Sequence, residues 1–226
     1  MAEVAAIFDV EGTLFTSCWI LWWGILKNQA KDKRKVPRVV FHFLSQMVLA
    51  ALYRSGVVDI SRVRVNYGTG LARLLRGTRC QDIAELARQL AQKLLPHLRP
   101  DMQLVLEDHR GRGHRIVLVS SALQPFLEAI GQAVGAALCV GTGLEKVNAH
   151  YSGRLSTPVC LRHKRAQMLR DRFQELGLEI DLAASYAYGD RIWDAPVLEM
   201  VGNAVATYPD PELMAYAQRQ GWRTIG

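Results

Sequence analysis

Apolar positions follow two different periods along this chain. Residues 4–8 (VAAIF) form a short unbroken apolar run, the pattern of a strand buried on both faces. From 16 to 100 the period lengthens to that of a helix. Val36, Val40, Phe43, Leu44, Met47, Val48, Ala51 and Leu52 recur at helical spacing. Further helices are predicted at 59–76 and 81–95, the latter with Ile83, Leu86, Ala87, Leu90 and Leu94 on one face. Beyond 100, short apolar runs alternate with helical stretches. Helices are predicted at 101–111, 124–134, 161–176 and 195–201, and strands at 115–119, 137–141, 184–188 and 203–206. This alternation predicts an α/β fold, a doubly wound parallel sheet with a Rossmannoid core. The core would comprise residues 1–15 and 101–226. Residues 16–100 would be an inserted, all-helical cap over the carboxyl edge of the sheet.

The insert is unusually apolar. CWILWWGIL is followed by the basic run Lys31-Asp32-Lys33-Arg34-Lys35 and then by VVFHFLSQMVLAALY. An amphipathic cap core is the expected reading. His42, Ser45 and Gln46 interrupt the second stretch, which argues against a membrane-spanning helix of about 20 residues. The competing reading is an interfacial helix pair with Lys and Arg at headgroup level, a peripheral membrane contact.

Composition narrows the classes. The net charge of +7 suits anionic substrates or headgroups. It comes without zinc-finger spacing, an RNP-like aromatic pattern or a helix-turn-helix signal, so a nucleic-acid partner is not expected. Cys18, Cys80, Cys139 and Cys160 are scattered without a CxxC pair and read as reduced thiols of a cytoplasmic protein. Glu3 and Asp9 interrupt what would otherwise resemble a cleavable leader.

In open parallel sheets, ligands sit outside the carboxyl ends of the strands. Asp9 and Glu11 follow the first strand, Ser120 and Ser121 follow residues 115–119, and Asp190 and Asp194 follow residues 184–188. Lys164 and Arg165 open the helix before the last of these. Singly, each is an ordinary cap or turn residue. Gathered on one edge, they suit magnesium-assisted phosphoryl transfer: a carboxylate attacks phosphorus, a hard cation and a hydroxyl hold its oxygens, and a second acid moves the proton. For Thr142 and Glu145, in GTGLEKV, a plain loop and a substrate contact are equally expected. No histidine has metal-ligand spacing.

These residues also stand in four recognisable motifs. FDVEGTL, VSSALQPFLEAI, CLRHKRAQML and YAYGDRIWDAPVLE, in that order, resemble the haloacid dehalogenase (HAD) superfamily. The likeness is to its phosphoserine-phosphatase-like branch, subfamily IB, with a helical cap after the first strand. The tail AVATYPDPEL is similar to that branch as well. The resemblance implies a Mg2+-dependent phosphomonoester hydrolase with Asp9 as nucleophile and metal ligand. Glu11 takes the acid/base slot, where the family normally has Asp, and its backbone carbonyl would reach the metal. Thr13 would support the loop beside the phosphate, Ser120 and Ser121 would bind the phosphoryl group, and Asp190 and Asp194 would serve the magnesium. Lys164 is preferred as the phosphate-binding cation because it is the only lysine there, while helix phase favours Arg165. The implied substrate is a small phosphorylated metabolite or a lipid phosphate. A non-hydrolytic phosphate-binding or membrane-surface module, and a phosphotransfer or diphosphate-handling enzyme, are the competing classes.

Overall fold

The computed structural model describes residues 2–226. It opens with β1 (Ala5–Phe8), whose four residues are all buried. Four helices follow: α1 (Trp19–Ala30), α2 (Val36–Arg54), α3 (Ile60–Leu74) and α4 (Cys80–Leu94). Next come α5 (Pro100–Gly111), β2 (Arg115–Leu123), α6 (Gln124–Val134) and β3 (Leu138–Thr142). A hairpin of β4 (Leu144–Val147) and β5 (His150–Leu155) precedes α7 (His163–Glu175). The chain ends with β6 (Tyr186–Gly189), α8 (Ala195–Leu198), β7 (Asn203–Thr207), α9 (Pro211–Gln220) and β8 (Arg223–Ile225).

Six strands form one parallel sheet in the order β3-β2-β1-β6-β7-β8. β1 is central. The chain winds outward to β3 on one side of it, then returns to begin β6 on the other. Such a reversal leaves a crevice at the carboxyl ends of the strands. Side chains along β1 alternate between two apolar layers. Ala6 and Phe8 join the layer built with α4, α5 and α6, while Ala5 and Ile7 join that built with α7, α8 and α9. The helical insert shares the first layer: Leu21, Ile25, Leu71 and Leu90 pack in the same cluster as Phe126 and Ile130.

Two sequence expectations change here. GTGLEKV is no loop, since Thr142 ends β3 fully buried and Glu145 pairs with Arg154 across the hairpin at 2.9 Å. Nor does α2 form a cap core. It runs unbroken for 19 residues and is, by length and composition, apolar enough to cross a membrane, with a mean hydropathy of 1.4. Its buried residue is His42, while Leu44, Met47 and Val48 face solvent.

Candidate active site

The site is built on the carboxyl edge from four chain segments. β1 delivers Asp9, buried at 4% exposure, with its N–H donating to the Tyr188 carbonyl on the neighbouring strand at 2.9 Å. The chain then turns at Gly12, whose φ of +99° is a glycine conformation. A Cβ at Gly12 would meet the Asp190 carboxylate, so the turn and the acid are fitted to each other. Beyond β6, Asp194 Oδ2 accepts from the N–H groups of Asp190 (3.2 Å) and Arg191 (3.0 Å), which closes the loop around both acids. The Asp210 N–H donates to the Asp190 carbonyl at 2.8 Å and fastens the same loop to the start of α9.

α7 supplies the cation. Arg165 is buried at 3% exposure and its Nε donates to the Cys160 carbonyl. Its Nη1 bonds Asp9 Oδ1 at 2.8 Å and also contacts Asp194 Oδ1. The backbone enters this helix through Arg162 at φ +53°, a conformation that costs a non-glycine residue roughly 1–3 kcal/mol. Lys164 is exposed and points away from these acids, which corrects the preference for it. Lysine identity suggested the wrong neighbour, whereas helix phase pointed to the buried one.

Electrostatics follow from burial. Desolvation raises the pKa of Asp9 well above the usual carboxylate range, opposed by Arg165 and reinforced by Asp194, Asp190 and Glu11. Asp190 is pushed up to about 7, first by desolvation and then by Asp194, with Arg191 opposing. Asp194 is raised by burial, against the pull of Arg165. For Arg165, burial works against the charge, but Asp194 and Asp9 outweigh it and raise its pKa.

Among the described residues, Asp9, Asp190 and Asp194 offer carboxylate oxygens within 4.8 Å of one another. Asp190 Oδ1 is buried without a hydrogen-bond partner. Three clustered carboxylates, one with an orphaned oxygen, face a single buried guanidinium. This hard, oxygen-only donor set suits a divalent cation such as Mg2+.

Glu11 stands apart from that trio. Its Oε2 accepts from Arg64 Nη1 at 3.1 Å and its Oε1 from the Cys18 N–H at 3.2 Å. Of its groups, only the backbone carbonyl remains for the metal role that the sequence suggested. Arg64 escaped the sequence reading. Asp59 caps α3 by accepting from the Ser61 and Arg62 N–H groups, which fixes the helix so that Arg64, Tyr67 and Leu71 face the sheet. No sequence signal links Arg64 to a glutamate 53 residues away.

Ser120 and Ser121 do not follow β2 as expected but lie within it, where its register with β3 breaks between Val119 and Leu123. Ser120 is buried and its Oγ accepts from the Ala122 N–H at 3.2 Å, while Ser121 is half-buried beside it. Both border a cleft of about 240 Å³ together with Asp9, Glu11, Arg165 and Asp190. Thr13 does not. It is fully buried and its hydroxyl has no hydrogen-bond partner, so its place is beneath the loop and not beside a phosphate. A second cavity of about 340 Å³ adjoins the first across Glu11, Arg64, Ser120 and Ser121. Its walls are apolar, from Trp22 and Ile25 on α1 to Tyr67 and Leu71 on α3 and Phe126 on α6.

Comparison with known proteins agrees with this fold. The model of the haloacid dehalogenase-like hydrolase family matches residues 6–199. A histidinol-phosphatase of Neisseria meningitidis is 26% identical over 225 residues, covering 97% of each chain. Among solved structures, a protein of unknown function from Bordetella pertussis superposes with a TM-score of 0.82 at 22% identity, covering 100% of this chain and 99% of that one. A phosphoserine phosphatase captured as a phospho-aspartyl intermediate analogue shares the fold at a TM-score of 0.61 and 14% identity, covering 100% and 94%.

Proposed function

The chain belongs to the haloacid dehalogenase-like hydrolase family, as an enzyme of its phosphatase type, and from that premise we propose that it hydrolyses a phosphomonoester through a phosphoryl group carried on Asp9. The observation that carries the reading is the buried trio Asp9, Asp190 and Asp194, closed by Arg165 on the carboxyl edge of the sheet.

Asp9, Asp190 and Asp194 would hold Mg2+, with the Glu11 carbonyl as a further oxygen. The bound ion supplies positive charge that keeps these raised carboxylates anionic and neutralises the phosphoryl oxygens. Arg165 engages Asp9 Oδ1 and so orients the other carboxylate oxygen as the nucleophile. That oxygen forms a bond to phosphorus as the ester oxygen leaves. The hydroxyls of Ser120 and Ser121, both on the cleft wall, bind the equatorial oxygens. Glu11 donates a proton to the departing alcohol, then takes one from the water that attacks phosphorus and releases Asp9. Arg64 and the Cys18 N–H hold the glutamate's longer arm in place. The alcohol portion occupies the adjoining apolar cavity, with residues 16–100 acting as the cap. Its chemistry is that of a small phosphorylated metabolite or a phosphorylated lipid. Free thiols at all four cysteines suit a reducing cytoplasm.

Phosphate release from p-nitrophenyl phosphate tests the reading. It should require Mg2+, stop with EDTA and vanish in Asp9→Asn. Mg2+-independent release, or an active Asp9→Asn, would refute it.

A further inference from the structure

The outer surface of the helical insert does not resemble that of a water-exposed helix pair. Trp19 is 60% exposed, Phe41 74% and Met47 58%, and Trp23, Val40, Leu44 and Val48 lie open beside them. Contiguous apolar patches on a lone soluble protein are normally small, and larger ones mark an interaction surface.

Charge indicates what covers this one. Residues 19–58 carry seven Lys or Arg and a single acid, Asp32. Lys31, Lys33 and Arg34 are exposed in the loop between α1 and α2, and Arg54 is exposed at the far end of α2. On one flank of α2, Arg38, Arg73 and Arg76 line an open groove that Phe41 also borders. Lys35 is different: its Nζ is tied to Gln29 and Thr78 at 2.7 and 2.8 Å, so it anchors the loop. A second copy docked by two-fold symmetry would set this positive surface against itself. An anionic bilayer complements it, with apolar side chains at the acyl boundary and basic ones at the headgroups.

The surface also runs into the site. Trp19, Trp22 and Gln46 line the apolar cavity, and Trp22 stacks on Phe43 with centroids 5.8 Å apart. We propose that α1 and α2 dock on an anionic bilayer, and that the cavity receives the apolar part of a phosphorylated amphiphile from that surface. The docking stands on its own. The substrate assignment rests on the Asp9 chemistry proposed above.

Co-sedimentation with vesicles of phosphatidylglycerol and phosphatidylcholine is the test. Binding should exceed that to phosphatidylcholine alone and be released by salt. Lys31→Gln, Lys33→Gln and Arg34→Gln should each weaken it by about 5-fold, and the triple variant Leu44→Gln/Met47→Gln/Val48→Gln should abolish it. All of these variants should hydrolyse p-nitrophenyl phosphate at the wild-type rate without vesicles, which reports intact fold and chemistry. With phosphatidic acid in the vesicles, wild type should release phosphate faster than from phosphoserine, and the triple variant should lose that preference. Absence of binding at low salt would overturn the docking, as would binding indifferent to the triple variant or a solution dimer that the triple variant dissociates. Docking without release from phosphatidic acid would overturn the amphiphile, while an inactive wild type on p-nitrophenyl phosphate would instead remove the Asp9 chemistry.

Discussion

Replacing Gly12 by alanine separates the geometry of the site from the stability of the fold. The new methyl group would lie 2.7 Å from Asp190 Oδ1 and closer still to Cγ and Oδ2, whereas ordinary contact begins at 3.4 Å. The carboxylate must therefore retreat by about 1 Å, a displacement that costs a catalytic group on the order of 100-fold in rate. The φ of +99° adds backbone strain of roughly 1–2 kcal/mol. For a chain of this size that strain lowers Tm by about 2–8 °C. Steady-state hydrolysis of p-nitrophenyl phosphate across a Mg2+ titration should give a kcat about 100-fold lower and a weaker apparent Mg2+ affinity. Gly177→Ala is the control. Its φ is +60° but a Cβ there meets nothing within 4 Å, so it should carry the strain and keep the activity. A Gly12→Ala enzyme within about 3-fold of wild type, with unchanged Mg2+ dependence, would refute the assignment of Asp190 to the reacting centre.

Three further outcomes follow from the same geometry. Arg165→Met strands buried carboxylates and should cost about 3–5 kcal/mol in denaturant unfolding along with activity, Arg165→Lys should recover part of both, and Lys164→Met should stay within about 0.5 kcal/mol of wild type; equal losses at 164 and 165 would contradict the placement. Glu11→Asp is too short by one methylene to keep both Arg64 and the Cys18 N–H, so kcat should fall, and a faster enzyme would show that the longer arm is not fitted to its site. Asp190 has a folded pKa of about 7 against an unfolded value of 3.8, so in EDTA its contribution to stability is fully present below about 4 and is lost as pH rises through about 7. Mg2+ must displace that proton, so its affinity, measured by calorimetry, should strengthen as pH rises from about 5 to 7, and a pH-independent affinity would contradict this ligand set.

Much of the architecture is legible in the sequence because buried parallel strands are short apolar runs. β1, β3, β6 and β7 coincide with such runs to within two residues, β2 continues four residues past its run to Leu123, and helix 124–134 is found over that span, entered at Gln124-Pro125 and closed by Gly135. The hairpin of β4 and β5 is hidden because its two turn residues, Asn148 and Ala149, adopt φ of 48° and 61° without the glycine that usually signals such a turn. β8 is a three-residue edge strand, too short to show alternation. The acids at strand exits could be found because the fold class fixes where strand ends converge, and Ser120 and Ser121 were found with them although β2 runs past both to Leu123. Arg64 could not, since its partnership with Glu11 depends on how α3 packs over the sheet. The apolarity of α2 was visible, but hydropathy alone does not say whether an apolar helix faces the protein or the outside.

The central claim is that Asp9 carries the phosphoryl group. Acid-quenched Glu11→Gln, mixed with Mg2+ and a reactive phosphomonoester, tests it most directly, because slowed hydrolysis should let the intermediate accumulate. Peptide mass spectrometry should find one phosphoryl group on the peptide holding Asp9, and none in the Asp9→Asn/Glu11→Gln double variant. Turnover with the phosphoryl group on another residue, or retained turnover in Asp9→Asn, would contradict it.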